Sequence, residues 1–297
     1  MNNRQQGYSI VELMIALTIG LMLLSSALAY LIDSLKTHKQ IQQQSQLNEN
    51  SQLAMALLIN DIANSRFWLA ASEYHQSTGS IDLAALTTGL CDESTIDWAA
   101  DLNSAFSVSS NAENLQCIKN DDYLQGDIIH VRYTQPWQAS FVNKRLYSRI
   151  LATQIKLFNG DQQATNQLNN SLVEQLVAHS FFIAQSNDKC QQRDIPALYW
   201  QRSANGLPSK EELIQGVEDI KIIIAVDSNN DGNIDGYRQQ FNDIDWRQVK
   251  LVEVHMITRT LCPYFSQPTK QQFHFAGQEI TINDRYLRKY TLNNVLL

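Results

Sequence analysis

The sequence predicts an α+β protein: one long N-terminal helix, its first half apolar enough to span a membrane, packed on a β-rich globular domain. Three observations carry this. Leu13 to Ile32 is a run of twenty uncharged residues in which only Thr18, Gly20, Ser25, Ser26 and Tyr30 interrupt the apolar side chains. About twenty such residues cross a hydrocarbon core of ~30 Å as a helix. Gly20 is followed by 58 residues with neither Gly nor Pro, up to Gly79, so nothing breaks a helix from Tyr8 to Phe67. At 1.5 Å per residue that helix is about 90 Å long. Beyond residue 126 the chain turns to β-branched and aromatic runs bounded by turn formers, the pattern of strands.

Taken in order, residues 1–7 precede the helix, 8–32 form its transmembrane half and 33–70 its extramembrane part. Residues 36–52 are polar on nearly all sides and read as a solvated neck. From Leu53 the pattern changes. Leu53 and Leu57, and Ala54, Leu58 and Ile62, recur at four-residue spacing, a stripe expected to pack on the globular part. Residues 71–297 form the globular domain, opening with a loop-rich insertion, 71–126, that holds Gly79, Gly89, Gly126 and two cysteines. Strands are expected at Asp127–Thr134, Ser148–Phe158, Leu176–Ala184, Ala197–Arg202, Val217–Val226 and Val249–Thr260, with a polar connector at 159–171. In the last of these, Val249, Leu251, Glu253, His255 and Ile257 should face one way and Lys250, Val252, Val254, Met256 and Thr258 the other. Phe273–Phe275, Glu279–Ile282 and Tyr286–Thr291 finish the sheet.

Composition limits the function. A chain of 297 residues with 44% hydrophobic residues holds a sizeable core. A net charge of −7 argues against broad attraction to nucleic acid or anionic lipid. Trp68, Trp98, Trp137, Trp200 and Trp246 are therefore read as core or interface anchors rather than base-stacking platforms. One apolar run means one membrane crossing. Its orientation is not set by charge, since Arg4 precedes the run while Lys36 and Lys39 follow it beside Asp33. No HExxH, GxSxG, Walker A or GxGxxG is present. The histidines are scattered, and His130, His179 and His255, in expected strands, read as satisfied sheet residues. The chain is expected not to be an enzyme and to need no cofactor, with one loop as the exception.

That loop is Asp227-Ser-Asn-Asn-Asp-Gly-Asn-Ile-Asp235. Asp227, Asn229, Asp231, Asn233 and Asp235 supply oxygens and Gly232 the tight turn, as in the first part of a calcium loop. The twelfth position is Arg238 and the preceding segment is a strand, so this is not an EF-hand. A bound calcium would need a further ligand from Asp243, Asp245 or water. The alternative is a plain Asn-Asp-Gly turn between two strands. The four cysteines, Cys91, Cys117, Cys190 and Cys262, include no CxxC pair. In an exported domain they allow two disulfides with three connectivities. Cys91–Cys117 with Cys190–Cys262 is preferred, because each bridge closes a local region; buried free thiols are the alternative.

Gly7-Tyr8-Ser9-Ile10-Val11-Glu12, followed at once by the apolar run, resembles the processing segment of type IV prepilins. The resemblance implies cleavage after Gly7 by a prepilin peptidase, N-methylation of Tyr8 where the family usually has Phe, and retention of Glu12 as the fifth mature residue. A carboxylate near a bilayer is costly; paired with the α-amine of a neighbouring helix, Glu12 would fix the stagger between subunits. The alternatives are a plain signal anchor whose Glu12 snorkels to the interface, and a cleavable signal with Ala27-Leu28-Ala29 as its A-x-A site. Residues 49–68 resemble a segment of PilW-like minor pilins, through Glu49, Asn50, Ala54, Leu58, Asp61, Ile62 and Phe67; the family's Ala-Gly before the aromatic is Ser65-Arg66 here. The tail YLRKYTLNNVLL looks like their closing strand, and such sequences often carry a similar Asp/Gly-rich turn. The resemblance implies a type IV pilin-like fold, an inner-membrane anchor and a periplasmic domain. It also implies a place in a pilus initiation or tip complex, beside other minor pilins and the major pilin. A pseudopilin of type II secretion shares this architecture, and a single-span anchored adhesin or binding module is the reading from another class.

Overall fold

The computed structural model describes residues 9–65, 105–113, 115, 118, 123–136, 141–142, 145–151, 154–160, 172–204 and 207–297. The chain forms two compact units, Met1–Gln46 and Leu47–Leu297. Helix α1 runs from Ile10 to Asn64 without interruption, 55 residues, as the absence of breakers dictates. Ser65 continues it in a tighter turn and returns its Oγ to Ile62 O (2.6 Å). Phe67, the expected end of the helix, lies outside the described residues.

In the second unit, the burial of α1 begins earlier than the sequence stripe suggests. Leu47, Ser51, Ala54, Met55, Leu58, Asp61 and Ile62 are buried, a series spaced three and four apart as a helix face requires. Leu53, expected in that stripe, is 48% exposed. Leu53 lies about 100° round the helix from Ala54 on the side away from Met55, outside the buried face.

Among the described residues the strands form three antiparallel sheets. The largest has the order β1(Phe106–Ser109)-β2(Ile128–Pro136)-β5(Leu172–Cys190)-β3(Leu146–Leu151)-β4(Gln154–Asn159), and β5 also pairs with β6(Arg193–Ala204), which pairs with β7(Leu207–Gln215). The second has the order β13(Arg288–Leu296)-β10(Val249–Arg259)-β8(Val217–Val226)-β9(Gly236–Arg238), and the third is the hairpin β11(Thr269–Phe275)-β12(Gln278–Asp284). Strand β5 is the spine, pairing with β3 at Leu172–Gln175, with β2 at Glu174–Phe181 and with β6 at His179–Cys190.

Several details differ from expectation. The segment expected as one strand, Ser148–Phe158, is the hairpin β3–β4. Strands β1, β7 and β9 went unexpected; β7, with its Ser-Lys-Glu-Glu, carries too much charge to read as a strand and is made one by its pairing with β6. The turn from β5 to β6 is Gln191-Gln192, with φ of 51° and 64°, where Asn-Gly would have announced it. The two-residue turn Ala276-Gly277 of the third sheet has the same sign of φ, 48° and 80°. Gly216, between β7 and β8, has φ 88°, and a Cβ there would stand 2.6 Å from Arg259 O. Only glycine fits that position. Most of the insertion 71–126 and of the connector 159–171 lies outside the described residues.

One core joins helix and sheets. Ala54, Met55, Leu58 and Ile62 of α1 meet Ile129, Val131, Phe181, Ile183 and Leu198 of the first sheet, and Ile220, Ile222, Ile224, Val252, Val254, Met256 and Val295 of the second. Val252, Val254 and Met256 are the face of β10 expected from alternation. A smaller core around Ile118, Ile128, Phe182, Ala197 and Tyr199 fills the other face of the first sheet. Burial of such side chains contributes about 1.5–3 kcal/mol each.

Candidate assembly site

The first turn of α1 is built by its sequence. Ser9 Oγ accepts from Val11 N–H (3.3 Å), and Ser9 O accepts from Leu13 N–H (3.1 Å). Ser9 is thus the N-cap, and Ser9-Ile10-Val11-Glu12 has the S-x-x-E spacing of a capping box, a signal the prepilin reading of the same residues hid. Glu12 sits in this first turn, where the helix dipole favours an acid. Among the described residues no cation pairs with it. Gly7 and Tyr8 lie outside the described residues.

The run that follows suits a lipid or helix-lined surrounding. Its apolar side chains are exposed, Leu13 59% and Leu24 59% among them. Its hydroxyls need no partner from elsewhere: Thr18 Oγ1 donates to Ile15 O, Ser25 Oγ to Met22 O and Ser26 Oγ to Leu23 O, each at 2.9 Å. Polar atoms satisfied within the helix are what a hydrocarbon setting demands. Beside Gly20 a shallow groove opens, lined by Leu13, Ala16, Leu17, Leu21 and Leu24.

The far end of α1 is held by polar contacts that the sequence did not announce. Asp61, buried on the helix, accepts from Tyr133 Oη on β2 (3.3 Å) and meets His179 Nδ1 on β5 at 2.5 Å. The ring of His179 lies 4.3 Å from that of Trp200 on β6. Asn50 Nδ2 donates to Gln215 O (3.0 Å), and Ser51 Oγ lies 3.5 Å from Thr291 Oγ1 on β13. Asn50, Ala54, Leu58, Asp61 and Ile62, singled out above by resemblance, are therefore the residues that seat the helix on both sheets. The clue available in the sequence was a lone acid inside an apolar stripe, which needs a partner when buried.

Of the three histidines expected in strands, His130 and His179 find partners, while His255 is bonded at Nδ1 and its buried Nε2 has no hydrogen-bond partner among the described residues. His130 Nδ1 lies 2.6 Å from Ser180 Oγ and its Nε2 3.2 Å from Ser109 Oγ. Burial, with the Arg132 charge second, lowers its pKa to about 3, so it stays neutral. His255 Nδ1 meets Tyr290 Oη at 2.8 Å.

The aspartate loop is organised as a turn. Asp227 is fully buried and its carboxylate accepts from Asp231 N–H (3.1 Å) and Gly232 N–H (2.9 Å). Asp235 accepts from Ser228 N–H (2.8 Å) and Ser228 Oγ (2.6 Å), bonds that hold its carboxyl below the usual range. Asp231 accepts from Asn233 N–H (2.8 Å). Asn229 Nδ2 points a donor at Asp231 (3.2 Å) and at Asp235 (3.4 Å), filling the place between those acids. Among the described residues no three His, Cys, Asp or Glu side chains converge as a metal site. Cys190 and Cys262 are bonded, with Cα atoms 5.5 Å apart; Cys91 and Cys117 lie outside the described residues.

Comparison with known proteins gives two matches, one at each end. Residues 2–28 match the prokaryotic N-terminal methylation motif. Residues 180–297, from the middle of β5 through β13, match the family described as type IV pilus-assembly protein W. No curated protein and no solved structure matches the chain. The methylation motif covers the capped, acid-bearing start of an exposed apolar helix, which anchors the chain in a membrane by a single pass. The second match covers β6 to β13 and the end of β5, and stops short of Tyr133 and His179, which meet Asp61. Over these two segments the chain is similar to type IV pilus-assembly protein W and to proteins that carry the N-terminal methylation motif.

Proposed function

We propose that the protein is a minor pilin, a structural subunit of type IV pilus assembly that works by association rather than catalysis. The observation that carries this is the methylation motif at 2–28 lying on a helix whose apolar side chains are exposed. A surface of that kind is stable only against lipid or other helices. In this reading Gly7–Tyr8 is the bond cut by a prepilin peptidase, and Glu12 sets the register against the next subunit. The globular domain lies in the periplasm, where the Cys190–Cys262 bridge is chemically at home. The subunit joins other minor pilins and the major pilin in a complex that initiates or caps the fibre. The Asp227–Asp235 loop serves as a turn and requires no ion; an unchanged melting temperature in calcium and in EDTA is the expected check. Clean deletion of the gene is the test of function: surface pili should fall sharply and return on complementation. Normal pilus numbers, or loss of exoprotein secretion with pili intact, would overturn the reading.

A further inference from the structure

Strand β13 is the outer strand of its sheet among the described residues. Its nine pairs with β10, Leu251↔Leu296 to Arg259↔Arg288, run without a shift, so no bulge turns this edge away. Leu297 N–H donates to Lys250 O (2.9 Å) and Thr260 N–H to Leu287 O (2.9 Å). Facing direction alternates along an antiparallel ladder. The odd-numbered residues therefore turn their main-chain groups to β10, and Tyr290, Leu292, Asn294 and Leu296 turn theirs to the free edge. The upstream end of that edge is already closed: Arg288 N–H donates to Gln271 Oε1 (3.0 Å) and Gln271 Nε2 to Tyr286 O (2.6 Å). Downstream, among the described residues, Asn294 N–H reaches only the neighbouring Asn293 side chain, at 2.8 Å.

Native sheet edges are normally guarded by Lys, Pro, bulges or short length. Residues 290–297, YTLNNVLL, contain no charged side chain, Pro or Gly. Leu292 is 50% and Leu296 61% exposed. We propose that this edge is a two-fold docking site for a second copy of this chain, the two β13 strands pairing antiparallel about Asn294.

The segment is complementary to itself. Pairing through Asn294 sets Leu292 opposite the second copy's Leu296, and Leu296 opposite its Leu292. Asn294 then meets its own copy, one amide offering a donor and an acceptor to the other. All three are edge-facing residues, so each pair is of the hydrogen-bonded kind. A slip of one residue would present groups already bonded to β10, so only registers two residues away compete, and these lose the Leu292–Leu296 match. The contact is isologous, as a closed dimer requires, and no like charges oppose each other along it.

The test uses the full chain in detergent micelles. The wild type should be dimeric by light scattering. A Leu292→Lys, Leu296→Lys double variant should be monomeric with an unchanged melting temperature, since both side chains are exposed. Mild oxidation should cross-link Asn294→Cys roughly tenfold faster than Gln272→Cys, an exposed position on β11, because hydrogen-bonded partners with Cα atoms about 5.5 Å apart lie within disulfide reach. If the lysine variant fails to fold, the two cross-linking rates decide. A monomeric wild type, a dimer that survives the lysines, equal rates, or cross-linking of Asn294→Cys only to a different protein would each overturn the proposal.

Discussion

Asp61 shows how one residue converts a helix into part of a domain. It is a buried carboxylate on α1, met by His179 of β5 and Tyr133 of β2. Asp61→Ala would leave the buried His179 Nδ1 without its carboxylate, at a cost of about 1–3 kcal/mol, while the half-buried Tyr133 keeps its bond to Asn64. Chemical denaturation of the variant should show that loss, while Leu53→Ala, at an exposed position of the same helix, should cost under 1 kcal/mol. Asp219 is the second such residue. Burial first, with the neighbouring Asp127 and Glu218 charges behind it, raises its pKa to about 6 against the pull of Lys221 and the Ile220 amide. Its Oδ1 is buried without a hydrogen-bond partner. The folded state therefore holds a proton on Asp219 that the unfolded chain, near 3.8, has released. Stability from this group is full below about pH 4 and is lost as pH rises through about 6. Asp219→Asn should remove that slope and raise the melting temperature at pH 7 relative to wild type, measured by calorimetry across pH 4–8.

At the scale of elements, the bridge from Cys190 at the end of β5 to Cys262 beyond β10 spans 72 residues of sequence. Closing a loop of that size restricts the unfolded chain by about 4 kcal/mol in the chain-entropy account. Cys190→Ser with Cys262→Ser, or reduction, should lower the denaturation midpoint accordingly. How far these elements were legible depends on where their signal resides. The helix was plain because it rests on an absence of Gly and Pro that no tertiary contact can imitate. Strands β8 and β10 were plain because Ile222, Ile224, Val252 and Val254 alternate or run together in the core. Strand β7 was hidden, since its Lys210, Glu211 and Glu212 are polar and its place comes from pairing with β6. The β5–β6 turn was hidden because two glutamines adopt a positive φ that the sheet imposes. The methylation motif was legible in Gly7 to Glu12 before an apolar run; the seat of the helix was not, because Asp61 and His179 are 118 residues apart, and pairing at that distance leaves no local pattern.

At the scale of the whole molecule, the two ends of α1 carry separable tasks, and Glu12 is the residue that tests this. It stands at the start of an apolar segment, among the described residues without a cation, in a first turn that Ser9 already caps. Folding alone gives it a small role: an acid in a first turn contributes about 0.3–1 kcal/mol through the helix dipole, and the core begins only at Leu47. Placing it beside a membrane costs more than that, so its return must come from outside the chain. In the proposed function a neighbouring subunit's α-amine would supply it, since a carboxylate and an ammonium group brought together in a dry bundle each remove the other's desolvation penalty. Glu12→Ala should therefore leave the melting temperature of the globular domain within about 1 °C of wild type, because the altered residue adds nothing to its core. Membrane insertion should persist or improve. The amount of the protein recovered in sheared surface fibres, by quantitative immunoblot against total cell content, should fall at least tenfold, in line with the few kcal/mol that a lost buried pair represents. Glu12→Gln should fall as far, because an amide keeps the size and loses the charge. Equal recovery of either variant and the wild type would mean that the acid acts only as a helix cap, and that the stagger between subunits is set elsewhere along the apolar face.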